Sequence, residues 1–306
     1  MEKQAKFARL MYLLNTDYLY ECFKVLKRGK AAGVDGRTLE SYHDEEIKGL
    51  ISKMVEDLKV RKYHPQPVRR VYIKKDNGKL RPLGIPTVVD KILQLAVTRI
   101  LESIYEQDFL SASYGYRKGK DAHAALKEIN HMIMGRKVNY IVDADIEGFF
   151  DHLDHTWLMK CVSVRVSDPH FKRVIWKFLK SGVMEEGEFL KTKEGSPQGG
   201  ILSPVLANIY LHYVLDLYFE KKIKPNQKGY VKQVRYADDF LIGVQCQKEA
   251  VDIKSQLAKR LQKFGLTLSQ EKTAVKEFGR FASENRSKRG EGKPETFNFL
   301  GFTHYC

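Results

Sequence analysis

The chain has 306 residues, with 53 lysines and arginines against 38 acidic residues and a net charge of +15. Apolar residues at 43% and aromatics at 11% suffice for a packed core and exclude a generally disordered chain. No apolar run reaches the roughly 18 residues of a membrane span, so the basic excess points to a polyanion, either nucleic acid or an anionic membrane surface.

The opening Met1–Lys6 lacks the charged-then-apolar pattern of a signal peptide. The chain to about Leu58 reads as helical and basic, broken by the glycine-rich loop from Gly29 to Gly36. Val68–Lys75 alternates like a strand, Asp76-Asn77-Gly78-Lys79 signals a turn, and Leu80–Ile85 returns, giving a basic β-hairpin. Thr87 with Asp90 forms a capping pattern ahead of an apolar helical stripe through Val89, Leu93, Val97, Ile100 and Ile104.

Asn139–Ile146 reads as a buried strand ending in acid. Ser203 and Pro204 suit an N-cap and first helical position. Val234–Ile242 reads as two short apolar strands around a polar tip. A helix follows, with Ala250, Ile253, Leu257, Leu261 and Phe264 on one face and Gly265 as its terminator. Phe278–Thr296 has the composition of a flexible basic loop, and Phe297–Phe302 closes the chain as a strand. The order predicts an α+β fold, an antiparallel sheet with helices on one face. Cys22, Cys161, Cys246 and Cys306 are too scattered for a zinc site or a disulfide framework, which suits a reducing, cytoplasmic setting.

Asp145 follows an apolar strand, and Asp238-Asp239 sits between two. Carboxylates among Ile, Val, Phe and Tyr need compensation, and Mg²⁺ bound by oxygen ligands is one form of it. Asp238-Asp239 also suits an ordinary hairpin turn, and Asp145 a strand end or N-cap. Asp143 shares a strand face with Asp145.

The motifs narrow these alternatives. Tyr236-Ala237-Asp238-Asp239 resembles the central motif of reverse transcriptases, and Asp145–His152 their earlier catalytic-aspartate motif. Gly195–Pro204 resembles the nucleotide-pocket motif and Arg69–Pro86 the fingertip motif. Phe264-Gly265-Leu266 with Lys272-Thr273, then Phe299–Phe302, resemble the last two palm motifs. Ala32-Gly33-Val34-Asp35-Gly36 resembles the N-terminal extension of group II intron-encoded members, as do Pro197–Gly200 and Leu206–Leu211. Lys74 departs from the proline that relatives carry there.

The resemblance implies a right-hand polymerase. Residues 1–95 and 153–200 would form fingers, and 96–152 and 201–306 palm. The helical thumb or maturase region and the endonuclease region are not expected within the chain, so weak or no polymerisation by it alone is expected. Asp145, Asp238 and Asp239 would be catalytic and would hold two Mg²⁺ ions, or Mn²⁺ in substitution, with the Ile146 carbonyl as a further ligand. Arg69, Lys75 and Arg81 would grip a dNTP triphosphate. Phe150 would exclude the ribose 2′-hydroxyl, Gln198 would line the pocket, and Lys272 would lie near the active site.

The implied function is RNA-directed DNA synthesis for a group II intron. Its partners would be an RNA template, a DNA primer and the intron RNA, with no membrane and with a homodimer as a further option. The alternatives are a non-catalytic maturase module that binds intron RNA, and another bacterial reverse transcriptase of the diversity-generating type.

Overall fold

Helical and strand periodicities alternate along the chain. A computed structural model describes residues 5–74, 78, 80–192, 194–196 and 199–306. The first elements are α1 (Thr16–Lys24), α2 (Asp44–Lys59), β1 (Val68–Lys74), β2 (Leu80–Ile85) and α3 (Val88–Tyr105). Next come α4 (Ala122–Gly135), β3 (Tyr140–Ala144), α5 (His155–Val162), α6 (Pro169–Leu179), β4 (Val183–Glu185) and β5 (Glu188–Leu190). Then follow α7 (Ser203–Leu211), β6 (Val231–Tyr236), β7 (Asp239–Val244), α8 (Gln247–Gln262) and β8 (Ala274–Glu277). Last are α9 (Ala282–Lys288), β9 (Phe297–Phe299) and β10 (Phe302–His304).

Two compact units share the chain, Met1–Gln107 with Phe150–Leu206, and Asp108–Phe149 with Ala207–Cys306. The family resemblance places the crossings at 95, 152 and 200. The first crossing falls after Gln107 because α3 is one continuous helix, buried along Ile92, Leu93, Ala96, Val97, Leu101 and Ile104, and packs on α1 in the first unit.

In the first unit the Thr87 hydroxyl accepts the Asp90 N–H and caps α3. The Asp90 carboxylate also takes the Gln66 N–H at 3.0 Å and the Tyr63 hydroxyl, so this cap fastens the preceding loop. Gly33 lies against the same corner. A Cβ there would come within 2.7 Å of the Thr87 nitrogen, which explains the glycine in the extension motif. β1 and β2 form the antiparallel hairpin, Arg69 opposite Ile85 through Lys74 opposite Leu80. β4 adds in parallel to β1 and pairs with β5, a hairpin the sequence reading did not anticipate.

The second unit is built on an antiparallel sheet of order β6-β7-β3-β8. Strand alternation puts Ile141, Val234 and Leu241 on one face, where they pack with Ile129, Met132 and Ile133 of α4. Arg235 and Gln233 point to the other face, where they bond Asp216 of the helical turns after α7. Helical segments therefore cover both faces of this sheet rather than one. The 278–296 segment is also corrected. Phe278 is buried, α9 forms within the segment, and Glu284–Lys288 makes an i,i+4 pair on that helix.

Candidate active site

Strand register brings the acids of the second unit together. Ala144 pairs with Phe240, and one step further Asp145 faces Asp239 across the β3–β7 ladder. Tyr236 pairs with Asp239, leaving only Ala237 and Asp238 to turn the β6–β7 hairpin. The turn requires a positive φ at its first position, and Ala237 supplies it at +56°, a strained value for a residue with a Cβ.

Past Asp145 the chain bonds the segment after α8, Ser269 N–H to the Asp145 carbonyl and Glu147 N–H to the Thr267 carbonyl, both at 2.9 Å. Ile146 and Leu268 thus form a non-hydrogen-bonded antiparallel pair. The Ile146 carbonyl therefore points away from Leu268, toward the side on which the β6–β7 turn lies.

The Asp239 carboxyl is pushed up to about 7, by desolvation first, then by the Asp238 and Asp145 charges and a hydrogen bond with Asp145, with Lys272 opposing. Asp239 nonetheless remains exposed, so solvent ions reach it. The Lys272 ammonium donates to Asp145 Oδ2 at 3.0 Å, and this bond raises its pKa. Asp143 is committed elsewhere, to Lys276 at 3.2 Å; burial raises its carboxyl while that lysine opposes the shift.

The chemistry fits a hard divalent cation. The donors are carboxylate oxygens, they repel one another, and a flexible ammonium compensates part of their charge. Among the described residues, no three acidic, histidine or cysteine side chains are already gathered at metal-binding distances. A cation would have to draw the carboxylates in and displace Lys272.

The first unit holds the remaining candidates. Arg69 and Arg81 share one face of the β1–β2 hairpin by register. Arg69 Nε donates to the Ala32 carbonyl at 2.9 Å, and Arg81 is exposed. The same hairpin face contributes Val71, Ile73, Leu83 and Ile85 to a cavity of about 690 Å³, with Lys30 and Lys91 also lining it. Phe150 is buried, and its carbonyl accepts the Ser196 N–H at 2.8 Å. Lys75 and Gln198 lie outside the described residues.

Residues 73–304 match the reverse transcriptase (RNA-dependent DNA polymerase) family. The chain belongs to the reverse transcriptase family. It is 38% identical to the group II intron-encoded protein LtrA of Lactococcus lactis subsp. cremoris, over 88% of this chain and 54% of LtrA. It is 33% identical to protein YkfC of Escherichia coli (strain K12), over 80% of this chain and 74% of that protein. The group II intron branch is therefore the right one within the reverse transcriptases, and the chain spans about half the length of LtrA. Telomerase from Candida albicans shares the fold at a TM-score of 0.58 and 16% identity, over 85% of this chain and 48% of that one.

One part of this reverse transcriptase site was not read from sequence. Arg235 precedes the YADD tetrapeptide and has no exposed surface. Its guanidinium meets Asp216 through Nε at 2.8 Å and Nη2 at 2.6 Å. Nη1 donates to the Asn208 side chain at 3.0 Å and to the Ala237 carbonyl at 2.8 Å, and Nη2 also donates to Ser113 Oγ at 2.8 Å. The Arg235 backbone is held as well, by Ala112 and Tyr114 at 2.8 Å each. Gly115 closes the arrangement, since a Cβ there would come within 2.4 Å of the Ala237 nitrogen. The only sequence signal was an arginine between Val234 and Tyr236, directly before the acidic turn.

Proposed function

We propose that this chain is the fingers-and-palm region of an RNA-directed DNA polymerase encoded by a group II intron. The observation that carries the reading is the convergence of Asp145 with the Asp238-Asp239 turn at one end of the central strand pair, with Lys272 on Asp145.

In this reading Asp145, Asp238 and Asp239 hold two Mg²⁺ ions, with the Ile146 carbonyl as a further ligand. When bound, the ions supply Lewis-acid stabilisation to the attacking and leaving oxygens. The primer 3′-hydroxyl attacks the α-phosphate of a dNTP, a phosphodiester bond forms, and pyrophosphate leaves. Arg69 and Arg81 grip the triphosphate, because guanidinium forks match phosphate oxygens. Lys75 joins them and Gln198 lines the pocket on the strength of the motif resemblance, and Phe150 excludes the ribose 2′-hydroxyl. Lys272, released from Asp145, meets the substrate's negative charge.

The basic chain also binds its intron RNA and supports splicing, in a cytoplasmic setting. Lysine and arginine contacts to phosphates supply that affinity.

Primer extension on an RNA template with dNTPs and Mg²⁺ tests the reading. The comparison is between the chain, its Asp238→Asn variant, and a version lengthened by the region that follows in LtrA. Extension by the lengthened protein that disappears with Asp238→Asn is the expected result. No extension, with intron RNA still bound tightly, would sink the polymerase and leave the maturase.

A further inference from the structure

The protein has two tryptophans, and both lie on the same helical pair of the first unit. Trp157 on α5 is 36% exposed and Trp176 on α6 is 39% exposed. Each also carries a cation. The Lys160 ammonium lies 4.0 Å from the Trp157 ring centroid, and that of Lys180 lies 5.3 Å from the Trp176 ring.

Between the two helices is an open hollow of about 570 Å³. Met159, Val164 and the Trp176 ring supply its apolar wall, and Lys6 and Lys160 its charge. None of the described residues lining it is acidic. Asp154, the nearest acid in sequence to Trp157, is used as the cap of α5, accepting the Trp157 N–H at 2.7 Å. The Trp176 ring is steadied from inside by the edge of the buried His155 ring, with centroids 5.9 Å apart at 77°. A fixed aromatic face beside two ammonium groups matches an unstacked nucleobase with its flanking phosphates.

We propose that this α5–α6 hollow is a binding surface for single-stranded RNA, with one base held against Trp176 and the adjoining phosphates on Lys6 and Lys160. It rests on RNA being a partner of this chain, as in the function proposed above. It does not depend on the carboxylate site, because none of its residues belongs to the machinery proposed there. A duplex keeps its bases stacked and offers only phosphates, so the hollow discriminates against it. Stacking accepts any base, so the surface carries little sequence preference.

Because the tryptophans are the probes, the test reads the site directly. Tryptophan emission of the full chain is followed while a 12-nucleotide oligouridylate is added. The Trp157→Phe variant, in which only Trp176 emits, should be strongly quenched. Trp176→Phe should lose most of the quenching yet bind nearly as well, since an aromatic face is kept. Trp176→Ala and Lys160→Glu should each bind the oligonucleotide roughly tenfold or more weakly by anisotropy, with circular dichroism unchanged.

Affinities within twofold of the parent for both Trp176→Ala and Lys160→Glu would overturn the inference. So would equal quenching by a 12-base-pair RNA duplex, or quenching by phosphatidylserine vesicles but not by the oligonucleotide. Asp238→Asn should quench like the parent. An inactive polymerase that still quenches would break the proposed reaction and leave this surface standing, while an active one that does not quench would do the reverse.

Discussion

A guanidinium with no exposed surface is costly unless its donors are used, and Arg235 bonds Asp216, Asn208, Ser113 and the Ala237 carbonyl. Removing one partner strands the other as a buried charge, which costs about 3–5 kcal/mol. Arg235→Met and Asp216→Leu should each lose about that much in urea unfolding, and the double variant should recover most of it. Single losses under about 1 kcal/mol would show that the pair does not hold the turn. Function should separate from stability, because the double variant no longer bonds the Ala237 carbonyl. It should fold yet, placed in the lengthened protein of the proposed function, extend primers poorly.

His212 gives a second prediction at this scale. It is buried, packs edge-on against Phe109 and Tyr213, and is held down to about 4. Burial is the main cause; Asp216 and Asp108 oppose it, and Arg235 and Lys221 add to it. In the unfolded chain the imidazole takes its proton near 6.5. Above that pH both states are neutral and the residue adds no pH dependence. Between about 6.5 and 4 only the unfolded state is protonated, so stability falls as pH falls, by on the order of 3 kcal/mol before levelling off. His212→Gln should flatten that part of a stability-against-pH curve. A curve identical to the parent's would count against the assignment.

The element that tests nucleotide binding is the β1–β2 hairpin. Arg81 is exposed and stands opposite Ile73, so Arg81→Ala should change stability by less than about 0.5 kcal/mol. On the proposed function, and in the lengthened protein, it should raise the KM for dNTP roughly tenfold and leave kcat nearer the parent value. A change confined to kcat would assign the residue to chemistry instead of binding. This hairpin was legible in the sequence because alternation and a glycine turn are local signals, and so were β3 and the β6–β7 pair. The β4–β5 hairpin was missed because its strands have three residues each, too short to show a period. Helix α9 was missed because its lysines, arginines and glutamates resemble a solvated loop until their i,i+4 spacing is weighed. The carboxylates were legible through their motifs, whereas the Arg235–Asp216 pair was not. Nothing local tells an arginine in a strand that its partner lies 19 residues earlier on the covering helix.

At the scale of the whole molecule the +15 charge is the dominant quantity. If about six phosphates are neutralised on a single strand, log affinity should fall against log salt with a slope of roughly −4. Raising salt from about 100 to 300 mM should then weaken oligonucleotide binding by nearly two orders of magnitude. A slope near zero would mean that the charge is spread without a binding track.

The two-residue turn at Ala237-Asp238 also acts as a ruler. Side chains alternate along β6 and β7, so inserting one residue between Val234 and Leu241 would rotate Asp239 to the face now held by Arg235, or carry it out of step with Asp145. Two residues would restore the face but move the carboxylate by nearly 7 Å. Natural or engineered length variation should therefore be tolerated in exposed stretches such as 289–295 and be absent from the eight residues around this tip. A library of single-codon insertions along the gene would show that gap as a short silent window in an otherwise permissive map.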